Sequence, residues 1–196
     1  MKSIDNKCII IGKASNILGK GLGNHIDSFE NVVRFNRFQT EEFQKDLGSR
    51  CTHWIIGYNL ATDNMAVNNG YFKKNFNKIK LRHPELNQVI VLTSTATKNK
   101  NIKKINDLKK IINVELVYKE YDAFFKVKPT SGFMAIKYFL KQFEHISLGG
   151  FDFGKSHHYW GNHSVADIPA PEGNHAWKKE KNHINDLVKQ NKIKII

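Results

Sequence analysis

Four groups of residues in this 196-residue chain have types and spacing suited to chemistry. His157-His158-Tyr159-Trp160 and, further on, His175 with Glu180 supply imidazoles, which take or give a proton near neutral pH. Gly12-Lys13-Ala14-Ser15-Asn16 directly follows an apolar run. Small residues there let the backbone approach a phosphate, and the start of a following helix favours its charge. Asn36, in Val32-Val33-Arg34-Phe35-Asn36-Arg37, offers both donor and acceptor to a base, ribose or phosphate, or else caps the next turn. Arg34 beside it reads as a structural arginine paired with a nearby carboxylate. Pro129-Thr130-Ser131-Gly132 opens a strongly apolar helical pattern. Hydroxyls and backbone N–H groups at a helix start suit an anion or a ribose, and an ordinary N-cap accounts for Thr130 or Ser131 equally well.

Other patterns are ruled out. Gly19-Lys20 has Ala14 where a P-loop needs glycine, and Gly19-Lys20-Gly21-Leu22-Gly23 has the wrong glycine spacing for a dinucleotide fingerprint. The chain contains neither HExxH nor CxxC, which argues against zinc. Five residues along a helix put Glu180 roughly 140° from His175, so the two do not share one face. Glu180 is expected to brace the first turn of its helix, and His183 and Trp177 read as surface and core residues. No Asp-x-Asp occurs. Transferases that use nucleoside diphosphate sugars hold a divalent metal with that pattern, whereas hydrogen-bond donors alone can stabilise a departing nucleoside monophosphate. The expectation is no metal ligand and no cofactor.

The elements that must position these residues are legible as alternating runs. Strands are predicted at Lys7–Ile11, Val32–Phe35, His53–Ile56, Val89–Leu92, Val114–Tyr118, Ile146–Gly149 and Ile193–Ile196. Helices are predicted near Thr40–Asp46, Met65–Asn77, Asn101–Ile112, Ser131–Phe143 and His175–Gln190. The pattern implies one α/β domain over residues 1–196, a mostly parallel sheet of about seven strands with helices on both faces. Ligands in such sheets bind beyond the carboxyl ends of the strands, here Gly12–Asn16, Asn36 and Gly150–Phe153. Residues 154–174, rich in glycine, histidine, proline and aromatics without periodicity, read as a lid loop over the site.

Composition narrows the partners without choosing among them. Lys and Arg number 31 against 18 Asp and Glu, a net charge of +13, which favours nucleic acid, acidic lipid surfaces, or sugar nucleotides and acidic glycans. Lysines concentrated at 98–104 and 178–181 read as solvated faces. A basic nucleic-acid-binding module is the contrasting class, with aromatics interleaved among lysines, but no recognised RNA- or DNA-binding signature supports it. Two cysteines, Cys8 and Cys51, are too few for a disulfide framework. The apolar stretch Cys8–Ile11 is too short for a signal peptide or a membrane span. The expected location is the cytoplasm, with charge able to hold the protein against the inner membrane.

In order, these segments resemble the four sialylmotifs of the animal-type sialyltransferase family. Cys8-Ile-Ile-Ile-Gly12 through Ile26-Asp27, Val33-Arg34-Phe35-Asn36 and Asp46-Leu-Gly-Ser-Arg-Cys-Thr-His53 look like the large motif. Pro129-Thr130-Ser131-Gly132 through Leu148-Gly149-Gly150-Phe151 is similar to the small motif. His157-His158-Tyr159-Trp160 resembles the third, and His175 with Glu180 the very short one. The resemblance implies a Rossmann-like, GT-A-like fold and an inverting, metal-independent transfer of sialic acid from a CMP-sugar to a glycan. CMP-Kdo is the alternative donor. It further implies nucleotide contacts at Gly12, Ser15, Asn16, Asn36, Thr130, Ser131, Gly132, Gly150 and Phe151, a phosphate contact from His158, and His175 as general base. Three departures stand out. The family's usual Asn after the first-strand glycine is Lys13, the Ser-Thr order of the small motif is exchanged, and the family's disulfide partner for Cys8 is missing, its position falling near Phe143. Loss of that bridge fits a reducing compartment, and with it a bacterial or viral source.

Overall fold

The structure, a computed structural model, describes residues 7–57, 71–93, 102–118, 129–156, 158–161 and 177–196. Runs of Ile, Val and Leu form the strands β1 (Cys8–Ile11), β2 (Asn31–Phe35), β3 (His53–Gly57), β4 (Gln88–Thr93), β5 (Asn113–Tyr118), β6 (Ile146–Gly149) and β7 (Ile193–Ile195). Each lies within a residue of its predicted ends. Among the described residues they make one seven-stranded sheet of order β5-β4-β3-β2-β1-β6-β7, every pairing parallel.

The central strands read as unbroken apolar runs because both faces are covered. Ile10, Val33, Phe35, Ile55 and Leu148 pack with Phe133, Ile136 and Phe139 of α5 (Ser131–Phe139) and Ile184 of α6 (Trp177–Lys189). On the opposite face, Ile9, Ile11 and Val32 meet Ile26 of α1 (Gly23–Asp27) and Leu47 of α2 (Gln44–Leu47). Trp54, Ile56, Val89 and Val91 meet Phe76 and Ile79 of α3 (Tyr71–Arg82) and Ile105 and Leu108 of α4 (Ile102–Lys109). The sheet therefore grows outward from β1 in two directions. In such sheets the crevice where the strand order reverses is the binding position. Here it lies between the carboxyl ends of β1 and β6.

Helix ends depart from the pattern-based expectation. The predicted helix Thr40–Asp46 is reduced to Gln44–Leu47, because Glu42 takes a left-handed φ of 69° that no helix continues through. The helix near Met65–Asn77 is described from Tyr71 and runs on to Arg82, stopping ahead of Pro84; residues 65–70 lie outside the described residues. The predicted Asn101–Ile112 is helical over Ile102–Lys109, and Ser131–Phe143 over Ser131–Phe139. The short α1 is additional.

Two internal ligands organise the layer under β1 and β2. The Gly19–Gly23 stretch does bind an anion with its backbone, but that anion is the chain's own Asp46. Its Oδ2 accepts from Gly19 N–H at 2.9 Å and its Oδ1 from Gly21 N–H at 2.7 Å, which holds the carboxyl pKa below its usual value. Arg34, 1% exposed, departs from the expected pairing with a carboxylate; among the described residues it instead donates to the carbonyls of Arg50 (2.7 Å), Leu47 (2.8 Å) and Gly48 (3.2 Å). It thereby caps the negative carboxyl end of α2.

Candidate active site

The crevice is a seam between two glycine turns. Gly12 N–H donates to Gly149 O at 2.7 Å and Ala14 N–H to Gly150 O at 3.0 Å, carrying the β1–β6 contact past the strand ends. Gly150 has a φ of 69°, and a Cβ on Gly12 would lie 2.1 Å from the Gly150 carbonyl oxygen. Neither position accepts a side chain without moving backbone. Phe151 follows, its ring edge-on to Phe35 at 6.1 Å. A Cβ on Gly12 or on Gly132 would come to 3.0 Å from that ring. Gly12, Gly132 and Phe151 are thus joined by packing as well as by their position at the crevice.

The first turn after β1 is tied to the turn after β6. Asn16 Nδ2 donates to Phe151 O at 3.3 Å, and Ser15 N–H donates to the Ser156 hydroxyl at 3.1 Å. Asn36, with φ 42°, joins the ends of β2 and β3. Its Oδ1 accepts from Gly57 N–H (3.1 Å) and its carbonyl from the Trp54 indole (2.7 Å). Its acceptor therefore serves the fold, and its amide NH2 is the group that a ligand would meet.

Thr130 caps α5. Its hydroxyl accepts from Phe133 N–H at 3.1 Å and donates to Glu180 Oε2 at 2.7 Å, while its N–H donates to Glu180 Oε1 at 2.8 Å. Glu180, 2% exposed, reaches across from the first turn of α6 to the positive end of α5. The Thr130 hydroxyl thus gives its one proton to Glu180 and one of its two acceptor lone pairs to the cap, and Ser131 and Gly132 follow it in the first turn of α5.

His158 is delivered to the seam from the far end of the sequence. It forms an antiparallel bridge with Ala14, and Tyr159 N–H donates to Lys13 O at 2.9 Å. Tyr159, buried against Phe43, anchors the segment: its hydroxyl donates to Gln39 O at 2.5 Å and accepts from Gln39 N–H at 3.2 Å. The His158 ring lies 4.8 Å from that of Trp160, and the Lys13 ammonium sits 5.5 Å from the Trp160 ring centroid. Burial, with Arg37 adding its charge, brings Lys13 down to about 8. The preceding turn is strained, with left-handed Phe153 (φ 61°) and Gly154 (φ 81°). Asp152 Oδ1 accepts from the N–H groups of Gly154 and Lys155, and the Trp177 ring would lie 3.3 Å from a Cβ on Gly154. His157, His175 and residues 162–174 of the predicted lid lie outside the described residues.

Gly12, Ser15, Asn16, Asn36, Gly150 and Phe151 thus follow the ends of β1, β2 and β6, His158 is bridged onto the first of these turns, and Gly132 at the start of α5 packs toward Phe151. Sequence reasoning missed the supports: Ser156, Gln39 and the Glu180–Thr130 link. Only Tyr159 carried a signal, as the aromatic beside the paired histidines.

The fold is an open, doubly wound α/β domain, with this seam as its candidate site at the switch point. Residues 2–192 match the model of glycosyltransferase family 29 (sialyltransferase), and the chain belongs to that family. It is 26% identical over 203 residues to CMP-N-acetylneuraminate-beta-galactosamide-alpha-2,3-sialyltransferase 2 of Mus musculus, covering 96% of this chain and 56% of the mouse protein. The chain thus spans little more than half the length of the curated relatives it matches. A mammalian sialyltransferase solved in complex with Gal-beta-1-3GalNAc-ortho-nitrophenol superposes with a TM-score of 0.64 at 19% identity, over 97% of this chain and 68% of that one. The sialyltransferase CstII from Campylobacter jejuni, solved with the substrate analogue cytidine-5'-monophosphate, gives 0.61 at 18% identity, over 96% and 78%. These two likenesses establish the shared fold.

Proposed function

We propose that this chain transfers sialic acid from CMP-sialic acid to a glycan hydroxyl, by a single inverting displacement that requires no metal. Family membership supports the reaction class. The observation that carries the reading is the seam itself: Gly12, Asn16, Gly150 and Phe151 meet at the switch point, and a histidine, His158, is bridged onto the same turn. Segments resembling the large, small and third sialylmotifs contribute to this seam, through Gly12 and Asn16, Gly150 and Phe151, and His158, which supports the reading.

In the proposed reaction the acceptor hydroxyl oxygen forms a bond to the anomeric carbon while the bond from that carbon to the phosphate oxygen breaks. The electron pair of the broken bond stays on the phosphate, releasing CMP. The hydroxyl proton passes to His175, acting as general base. His158 donates a hydrogen bond to the departing phosphate, and Asn16, Asn36, Ser131 and Gly132 hold the nucleotide. The absence of Asp-x-Asp supports metal independence. Exposed lysines such as Lys178, Lys179 and Lys189 on α6 supply charge suited to an anionic membrane surface carrying the acceptor.

The test is release of CMP, followed by mass spectrometry, from CMP-sialic acid and CMP-Kdo side by side with galactose-terminated glycan acceptors. Acceptor-dependent release from CMP-sialic acid is expected. Release from CMP-Kdo alone would transfer the reading to that donor, and release from neither would overturn it.

A further inference from the structure

We propose that the Lys13 ammonium binds the nucleotide phosphate and balances the charge that collects there as the sugar departs. This rests on the CMP-sugar reading above and adds to it a residue with a different chemistry from the amide that the family resemblance implies at that position. Lys13 sits directly after Gly12 in the seam, with its carbonyl fixed by Tyr159 N–H at 2.9 Å. Its ammonium lies 5.5 Å from the Trp160 ring centroid, and that ring stands 4.8 Å from the ring of His158. The charged group that perturbs it is Arg37, of the same sign; no described carboxylate pairs with it.

Lys13, half-buried, steered by an aromatic face and with no described carboxylate on it, leaves its own positive charge unbalanced at the crevice. An anion bound over the glycine turns, beyond the carboxyl ends of β1 and β6, relieves that imbalance. The sugar nucleotide brings a phosphodiester with one negative charge. When the anomeric carbon–oxygen bond breaks, its electron pair remains on the phosphate oxygen, and CMP leaves as a dianion. Lys13 keeps its proton throughout and acts by charge, so its attraction grows along the reaction. A fixed ammonium in this role does what a divalent ion does for diphosphate leaving groups.

The experiment is calorimetric binding of CMP and of cytidine, which lacks the phosphate, to the wild type, Lys13→Gln and Lys13→Arg. The wild type is expected to prefer CMP, with its affinity falling as pH rises through about 8, where free Lys13 loses its charge. Lys13→Gln should lose about 10-fold or more of CMP affinity, leave cytidine affinity unchanged and show no such pH dependence. Lys13→Arg should retain CMP affinity within a few-fold and hold it beyond pH 9. Lys13→Gln removes an unbalanced cation, so its thermal midpoint should equal or exceed that of the wild type. Should it fail to fold, the wild-type pH profile decides. CMP binding by Lys13→Gln equal to wild type, or a flat wild-type profile, overturns the Lys13 role while leaving the nucleotide reading intact. Wild-type protein that binds no CMP overturns the nucleotide reading and the Lys13 role with it.

Discussion

Glu180 and Thr130 share two hydrogen bonds across 50 residues of sequence, N–H to Oε1 at 2.8 Å and hydroxyl to Oε2 at 2.7 Å. They lock the start of α5 to the first turn of α6. Because Glu180 is buried, a change to either side chain weakens a hydrogen bond that water cannot readily replace. Thr130→Val and Glu180→Gln are each expected to cost about 1–3 kcal/mol by urea unfolding. The double mutant should cost less than their sum, giving a coupling of about 1 kcal/mol or more. Simple additivity would mean that the two side chains act independently.

The two histidines should separate kinetically. His175→Ala is expected to abolish transfer while CMP affinity stays within a few-fold of wild type; surviving turnover would remove it as the base. His158→Ala should lower kcat by about 100- to 1,000-fold, the size of one lost donor to developing charge. Near-normal turnover of His158→Ala would count against its phosphate role.

EDTA treatment is expected to leave the initial rate unchanged. A strict divalent requirement, restored by Mg2+ or Mn2+, would show that the phosphate is neutralised by a metal ion and not by the protein's own cations.

His53 sets a pH window for stability. It is buried at the start of β3, with Nδ1 2.8 Å from the Thr52 hydroxyl and its ring edge-on to Phe139. Burial lowers its pKa from 6.5 to about 4. The unfolded chain therefore binds the proton first as pH falls, and this group's stability, full above 6.5, drains away down to 4. The loss is on the order of 3 kcal/mol across that window. Urea midpoints measured from pH 7 to pH 4 should fall in the wild type and fall distinctly less in His53→Gln. Parallel profiles would assign the acid sensitivity elsewhere.

Two glycine substitutions should differ in severity. Gly12→Ala places a methyl 2.1 Å from a backbone oxygen and should cost about 3 kcal/mol or more, whereas Gly132→Ala meets only a ring edge at 3.0 Å and should cost about 1 kcal/mol. Thermal melts of the pair are the check, and equal losses would show that the seam relaxes more readily than its backbone contact implies.

The sheet was legible because its strands are short, fully buried runs such as Cys8–Ile11 and Val89–Leu92, a signal that does not depend on their partners. Helix ends were less so, since a single left-handed residue, Glu42, cancels an acceptable helical pattern without any glycine or proline to announce it. At the site, residues at strand ends could be found from their position alone. Their supports could not: Asp46 filling the Gly19–Gly21 nest and Gln39 gripping Tyr159 are tertiary pairings, 25 and 120 residues apart, between ordinary residue types.

The same topology sets the order in which the molecule can assemble. β1, the first described strand, needs β6 on one edge, and the contacts that close the crevice span 135 residues (Asn16 to Phe151) and 141 residues (Ser15 to Ser156). A chain emerging from the ribosome can pair β1 with β2, β2 with β3 and β3 with β4 long before β6 exists, so Ile9–Ile11 wait with a bare, apolar hydrogen-bonding edge. The crevice thus closes late, and until it does a nascent chain is open there to wrong partners.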